Sequence, residues 1–321
     1  MMKKTVFVTG GSGFVGKNLI PQLISEGYIV KALARSKKSE GLVKSLGAVP
    51  VKGSLANLNA LKAGMQNTHA VFHLAASVDF FAPYKELEKM HVKATNDLLD
   101  IAKSQGVKNF IYLGAASVIM NGKPIKNADE TFVSDTITDG YSMTKLKAEK
   151  AVLKANSPKL RTIALRPPLI WGKGDPNTLP AIVKAIKKGQ MMLINKGEHK
   201  FVTCHIKNVC HALILAEQTS KGGETYFITD LETPVFKEFM SNYVSTQNVS
   251  LPQKSVSLKQ ALIIARIMKV FWNLLPLKGH PPLYKGLVNV LGLEFTVDCS
   301  KAVKQLNYKP VISIRQGMNE M

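Results

Sequence analysis

The first 34 residues constrain this chain more than any other stretch. Thr5 to Thr9 (TVFVT) is a β-branched and aromatic run of the kind that fills a buried parallel strand. Gly10-Gly11-Ser12-Gly13-Phe14-Val15-Gly16 follows at once. A helical pattern then runs from Phe14 to Glu26, Gly27 stops it, and a second strand spans Tyr28 to Ala34. Strand, glycine loop, helix and strand in that order are the context a dinucleotide fingerprint requires. Gly10 permits the tight turn, Gly13 lets backbone approach a pyrophosphate, and Gly16 lets helix and strand pack closely. The helix start adds N–H groups and a partial positive charge for phosphate. Pro21, inside that helix, is expected to cost a hydrogen bond or kink it.

Strand and helix signals keep alternating. Ala48 to Lys52, Ala70 to Leu74, Asn109 to Leu113 and Arg161 to Leu165 read as strands, with helical patterns over 90–104 and 141–154. The alternation predicts an α/β fold: a doubly wound parallel sheet (Rossmann) with a smaller C-terminal substrate lobe. Residues 1–172 are expected to form the NAD(P)-binding domain, with 201–230 rejoining it. Residues 173–200 and 231–321 hold most of the prolines and irregular stretches, and mainly form the substrate-binding lobe over the carboxyl ends of the strands.

Composition narrows the classes. The three cysteines, Cys204, Cys210 and Cys299, give no disulfide framework and suit a reducing cytoplasm. The spacing of Cys204-His205 and Cys210-His211 does not fit a zinc site, so no metal is expected and the segment reads as a strand end followed by a helix start. Lys and Arg outnumber Asp and Glu by 43 to 22, a net charge of +21. Such an excess attracts polyanions, but the lysines are dispersed, with no Arg-rich tract, so no nucleic-acid partner is expected. After Lys4 only Val6-Phe7-Val8 is apolar before the glycines, and no run of eighteen uncharged apolar residues follows. A cytoplasmic protein with no leader and no spanning segment is therefore expected, with peripheral contact at an anionic membrane as its one membrane role.

Tyr141 and Lys145 stand four apart at the start of a helical stretch, so they share one face. A free tyrosine titrates near pH ~10, and a neighbouring ammonium is expected to lower that by favouring the phenolate. The pair can act as a general acid toward a ketone or a general base toward an alcohol.

These residues carry a resemblance. Thr9-Gly10-x-x-Gly13-x-x-Gly16, Tyr141-x-x-x-Lys145 and Arg166-Pro167-Pro168, with His73-Leu74-Ala75-Ala76 and Trp171-Gly172 between and after them, resemble an extended short-chain dehydrogenase/reductase of the epimerase/dehydratase superfamily. The tail, from Phe295-Thr296 through Ser300-Lys301-Ala302 to Leu306-Asn307-Tyr308-Lys309-Pro310, is similar to the 3β-hydroxysteroid dehydrogenase/isomerase branch. The resemblance implies that Tyr141 exchanges the proton and that Lys145 holds the nicotinamide ribose and tunes Tyr141. It places Gly10, Gly13, Phe14, Val15 and Gly16 on the pyrophosphate, Ala75 and Ala76 on the ribose, and Pro167, Pro168 and Leu169 on the nicotinamide. It also implies a homodimer. Two positions depart from the family. Its usual serine after the fifth strand is missing from Leu113-Gly114-Ala115-Ala116, and Ser117 comes two or three residues late, as a candidate for the same task. Ser54, followed by Leu55, stands where an aspartate usually meets adenine.

The cofactor is expected to be NADP(H) rather than the alternative, NAD(H). An NAD enzyme typically ends its second strand on an acid that binds the ribose hydroxyls. Here Ala34 holds that place, and Arg35, Lys37 and Lys38 follow to meet a 2′-phosphate. His73 and His205 are read as structural, and Asp129-Glu130 as a solvated loop.

The leading function is interconversion of a ketone and a secondary alcohol on a small hydrophobic substrate, steroid-like or long-chain. A nucleotide-sugar epimerase or dehydratase uses the same scaffold, but Ala115-Ala116-Ser117-Val118 lacks the acid a dehydratase needs. A non-catalytic NADP sensor or RNA-binding relative suits the basic charge, and the intact Tyr141-Lys145 pair argues against it. Finally, Leu258 to Leu275 predicts an amphipathic helix, either packed in the lobe or resting on anionic lipid. Lys259, Arg266, Lys269 and Asn273 share one face, and Leu262, Ala265, Met268, Phe271, Trp272 and Leu275 fill much of the rest, with Pro276 beyond.

Overall fold

The computed structural model describes residues 3–79, 81–137, 139–275 and 281–321, with Asn273 by its backbone alone. Seven strands, β1 (Thr5–Thr9), β2 (Ile29–Ala34), β3 (Val49–Lys52), β4 (Ala70–His73), β5 (Asn109–Leu113), β6 (Arg161–Arg166) and β7 (Glu224–Phe227), form one sheet in the order β7-β6-β5-β4-β1-β2-β3. All six pairings are parallel. Every residue of β4 and β5 is buried, because helices cover both faces. On one face Phe14–Ser25 and Ile206–Gln218 pack through Leu19, Ile20, Val209 and Leu213. On the other Leu58–Met65, Ala94–Ser104 and Gly140–Lys154 pack through Leu61, Leu98 and Val152. The winding direction reverses between β1 and β4, and the crevice at their carboxyl ends is where this architecture binds ligands.

Helix Phe14–Ser25 continues through Pro21 at the expected cost of one hydrogen bond. Pro21 is exposed, and the carbonyl it leaves without an N–H belongs to exposed Lys17. The segment around Cys204 is a strand, Thr203–His205, that pairs with Leu169–Trp171 and runs into helix Ile206–Gln218. All three cysteines are buried and unpaired.

The lobe is built from helices Thr178–Lys187, Phe236–Ser245, Leu258–Leu274 and Lys285–Gly292. Trp171, Leu179, Phe236, Phe239 and Tyr243 form its main cluster. The chain's end departs from the expected boundary. Phe295–Val297 pairs with Ile125–Ala128, and Cys299, Ala302, Leu306 and Tyr308 pack into the sheet core. Tyr308 is held there by donating its hydroxyl to the Thr229 carbonyl. The Asp129-Glu130 loop is solvated only at Asp129. Glu130 is half-buried and accepts the Phe227 N–H of edge strand β7 at 2.8 Å, and burial raises its pKa. Among the described residues no helix is long and apolar enough to cross a membrane.

Candidate active site

The glycine loop is pressed onto the end of β4. Gly10 has φ +75°, and a Cβ there would lie 2.8 Å from the Ala75 nitrogen. A Cβ on Gly16 would meet the Gly10 carbonyl oxygen at 2.4 Å, so helix and loop touch through backbone alone. Gly13, Phe14 and Val15 lie at the helix start between them. Half-buried Ala75 and Ala76 face this loop from the strand end, with the Ala75 N–H reaching Thr9 Oγ1 at 3.3 Å. A cradle this tight, ending on free helix N–H groups, fits a pyrophosphate. Beyond it Ala34 is buried, while Arg35, Lys37 and Lys38 are exposed and, among the described residues, pair with no carboxylate. Ser36 caps the helix that Lys37 and Lys38 open. On the neighbouring strand end Ser54 is exposed, whereas Leu55 packs on the core.

Helix Gly140–Lys154 starts where Asp139 caps the Ser142 N–H at 2.7 Å. This fixes Tyr141 in the first turn and Lys145 one turn on. Lys145 is 2% exposed, donates from Nζ to the Leu113 carbonyl at 2.6 Å and stands over the Tyr112 ring. Burial draws its ammonium down to about 7, opposed by the Glu149 carboxylate. Tyr141 does not show the expected lowering. Although part of its side chain reaches the surface, burial of the phenol pushes it up to about 12, and the Asp139 carboxylate acts in the same direction. Loss of solvation sets the direction, and the Lys145 ammonium, turned onto the Leu113 carbonyl, is not among the groups that act on the phenol.

Three loops close on this helix. Ser117, in the short turn Ala116–Ile119, accepts a hydrogen bond from Ser142 Oγ at 3.0 Å. Its own proton has no partner among the described residues. The Ala116 N–H donates to the Pro167 carbonyl at 2.9 Å, joining that turn to Pro167, Pro168 and Leu169. The third loop follows β4, and it is held by a residue the sequence reading passed over. His91 is 2% exposed, its ring stands edge-on to Tyr141 with centroids 5.5 Å apart, and it bonds Thr144 Oγ1 at 2.9 Å and the Ser77 N–H at 3.0 Å. Thr144 in turn donates to the Gly140 carbonyl. Burial, then Lys145, pushes His91 down to about 4, so it is neutral. It sits in a π-helical turn, Glu88–Lys93, of the kind that often marks functional sites. That widened turn leaves no trace in hydrophobic periodicity.

Glu149 was also missed. It takes Arg166 Nε and Nη2 on its two oxygens, at 2.8 and 2.5 Å, beneath the site. Its spacing, four after Lys145, was the available signal. His73 is a buried link, bonded to Thr9 at 2.7 Å and Thr95 at 3.0 Å, and burial pushes it down to about 3. His205 caps helix Ile206–Gln218 through Nδ1. Neither reaches the Tyr141 turn. A cavity of about 740 Å³, lined by Lys4, Asn109, Arg161 and Glu217, opens at the amino ends of the strands, the far end of the sheet. Among the described residues no group of His, Cys, Asp and Glu is placed to hold a metal.

A glycine loop fit for a dinucleotide and a helix that opens on Tyr141 with Lys145 one turn on are the equipment of an NAD(P)-dependent oxidoreductase of the extended short-chain dehydrogenase/reductase class, and this chain is one. Within that class it belongs to the 3-beta hydroxysteroid dehydrogenase/isomerase family, whose sequence profile matches residues 7–260. Full-length relatives agree. The sterol-4-alpha-carboxylate 3-dehydrogenase (decarboxylating) of Dictyostelium discoideum is 33% identical over 99% of this chain and 100% of its own. The 4-hydroxy-2-methyl-3-oxo-4-farnesyl-3,4-dihydroquinoline-1-oxide ketoreductase of Stigmatella aurantiaca is 32% identical over 98% and 95%. The 2-alkyl-3-oxoalkanoate reductase of Stenotrophomonas maltophilia is 30% identical over 98% of each. Among solved structures, the UDP-glucuronic acid 4-epimerase of Bacillus cereus in complex with NAD superposes with TM-score 0.75 over 98% of this chain and 96% of its own. At 18% identity that likeness concerns the fold alone.

Proposed function

We propose that this protein is an NADP(H)-dependent reductase that interconverts a ketone and a secondary alcohol on an extended apolar substrate. The observation that carries the reading is the Tyr141 turn, with Lys145 buried behind it and Ser117 hydrogen-bonded to its neighbour Ser142. A bound nicotinamide dinucleotide supplies or accepts the hydride. Tyr141 holds a proton at Oη, and with its phenol pushed up to about 12 it enters protonated at neutral pH, the state that gives a proton to a ketone oxygen. Ser117 Oγ, its proton unspoken for among the described residues, donates to the same oxygen. Lys145, held by the Leu113 carbonyl over the Tyr112 ring, would hold the cofactor ribose. Gly10, Gly13, Phe14, Val15 and Gly16 hold the pyrophosphate, Ala75 and Ala76 the ribose, and Pro167, Pro168 and Leu169 the nicotinamide.

The apolar substrate is supported by exposed Val78, on the loop after β4 that His91 ties to the Tyr141 turn. The names of the three relatives point the same way, with a farnesyl group, a sterol and an alkyl oxoalkanoate. Preference for the 2′-phosphate is supported by Arg35, Lys37 and Lys38, exposed after β2 and without an ion pair among the described residues, and by Ala34 in place of an acid. Titration with both cofactors tests this. NADPH is expected to bind about tenfold or more tighter than NADH, and Arg35→Ala to erase most of that gap. Equal affinities overturn the preference, and a panel of long-chain and cyclic ketones that leaves NADPH unoxidised overturns the reductase.

A further inference from the structure

Helix Leu258–Leu274 shows two apolar faces. Ala261 and Ala265 are buried against Ile194 and Val288, with Leu258 and Leu262 packed around them. Met268 and Trp272, on the same side, are half-buried. The expected single apolar face is thus divided, and Phe271 and Leu275 are exposed. Asn273's side chain and Pro276 lie outside the described residues. The outward face carries Ile263, Ile267, Val270, Phe271 and Leu274, each at least half exposed and Leu274 by 76%. These five follow the i, i+4, i+7, i+8, i+11 spacing of one stripe.

Lys259, Arg266 and Lys269 lie along one edge of the stripe, all exposed and none ion-paired among the described residues. The stripe lies in an acid-free stretch: residues 239–293 hold no Asp or Glu and six Lys or Arg. An apolar stripe of this size is costly to leave in water. Its basic, acid-free margin suits one kind of partner, a surface that is apolar within and anionic at its rim.

We propose that this face docks the protein on an anionic lipid bilayer, Ile267, Phe271 and Leu274 entering among the acyl chains and Lys259, Arg266 and Lys269 meeting the headgroups. The same lobe reaches the site mouth. Helix Lys285–Gly292 packs on the docking helix through Val288, and Tyr284, at its start, meets the Phe81 ring at 4.4 Å on the loop that follows β4. Burial and the carboxylates of Asp139, the cap beside Tyr141, and Asp79 push Tyr284 up to about 12. A docked helix therefore opens the substrate mouth toward lipid. The docking itself rests on the helix alone. Its link to catalysis rests on the proposed apolar substrate.

The test is flotation of the whole chain with phosphatidylcholine vesicles, with and without phosphatidylserine, and without turnover, so that its failure is distinct from failure of the reductase reading. Binding is expected only to the anionic vesicles and to weaken as salt rises. Ile267→Ser with Phe271→Ser and Leu274→Ser is expected to lower it about tenfold or more, and Lys259→Glu with Arg266→Glu and Lys269→Glu to abolish it. Leu274→Trp, which keeps the face apolar, is expected to shift its fluorescence to the blue on binding. No binding at low ionic strength, or equal binding by the serine variant, overturns the proposal. So does a wild-type dimer that the serine variant converts to a monomer without vesicle binding, because the face then belongs to a second copy of this chain.

Discussion

Helices Gly140–Lys154 and Leu258–Leu274 break the same rule in opposite directions. The first buries Ser142, Thr144, Lys145 and Glu149, polar groups that usually face water. The second leaves five large apolar side chains in water. In the first helix each buried group has a partner: Ser117 for Ser142, the Gly140 carbonyl for Thr144, the Leu113 carbonyl for Lys145, and Arg166 for Glu149. Among the described residues, the second helix has a partner only for its inward face. A buried polar group must find its complement inside the chain, at a fixed geometry, and so it marks chemistry. An exposed apolar face leaves its complement outside the chain, and so it marks contact.

The largest expected effect falls on the first helix. Tyr141→Phe is expected to cut kcat by about 10²-fold or more while leaving cofactor affinity nearly unchanged, since only the proton is lost. Stopped-flow reduction alongside cofactor titration separates the two, and a severalfold loss or less would remove Tyr141 from its role. Glu149→Gln attacks the support instead. It leaves Arg166 charged and buried, and is expected to cost about 3 kcal/mol of stability, read as a lowered midpoint of urea unfolding. No shift in that midpoint would mean the pair holds nothing in place.

Ser117→Ala is expected to lower kcat about tenfold or more with little change in Tm, as an oxyanion donor would. A change under severalfold would return Ser117 to a purely structural link with Ser142.

A smaller effect is expected with pH. His91 is pushed down to about 4 when folded, below its ordinary value near ~6.5. Between those values the unfolded chain binds the proton and the folded chain does not, so stability rises with pH there. The contribution is complete above about 6.5 and is lost as pH falls toward 4. His91→Asn is expected to show a shallower loss of Tm over that window, and an unchanged slope would mean that His91 is protonated in the fold without penalty.

Much of this protein follows from local sequence. The strand, the glycine loop and the helix of residues 5–25 are each specified by residues adjacent in the chain, and a Cβ at Gly10 or Gly16 could not be accommodated. The Tyr141-Lys145 spacing follows from helix geometry, as does the cap at Asp139. The helix at Leu258–Leu274 was equally legible as a helix. What sequence could not supply was which side of that helix finds a neighbour. Ala261 and Ala265 face inward because their small side chains let Ile194 and Val288 approach, a choice made by elements distant in sequence. The direction of the Tyr141 shift was equally out of reach, because an i, i+4 spacing announces an ammonium but not how much water has been removed from around both groups. His91 became a site residue only when the fold set its ring between the loop after β4 and Thr144, 53 residues away along the chain. Short-range sterics and periodicity are written in neighbouring residues, whereas burial and hydrogen-bond partners across the sheet exist only once the chain has folded.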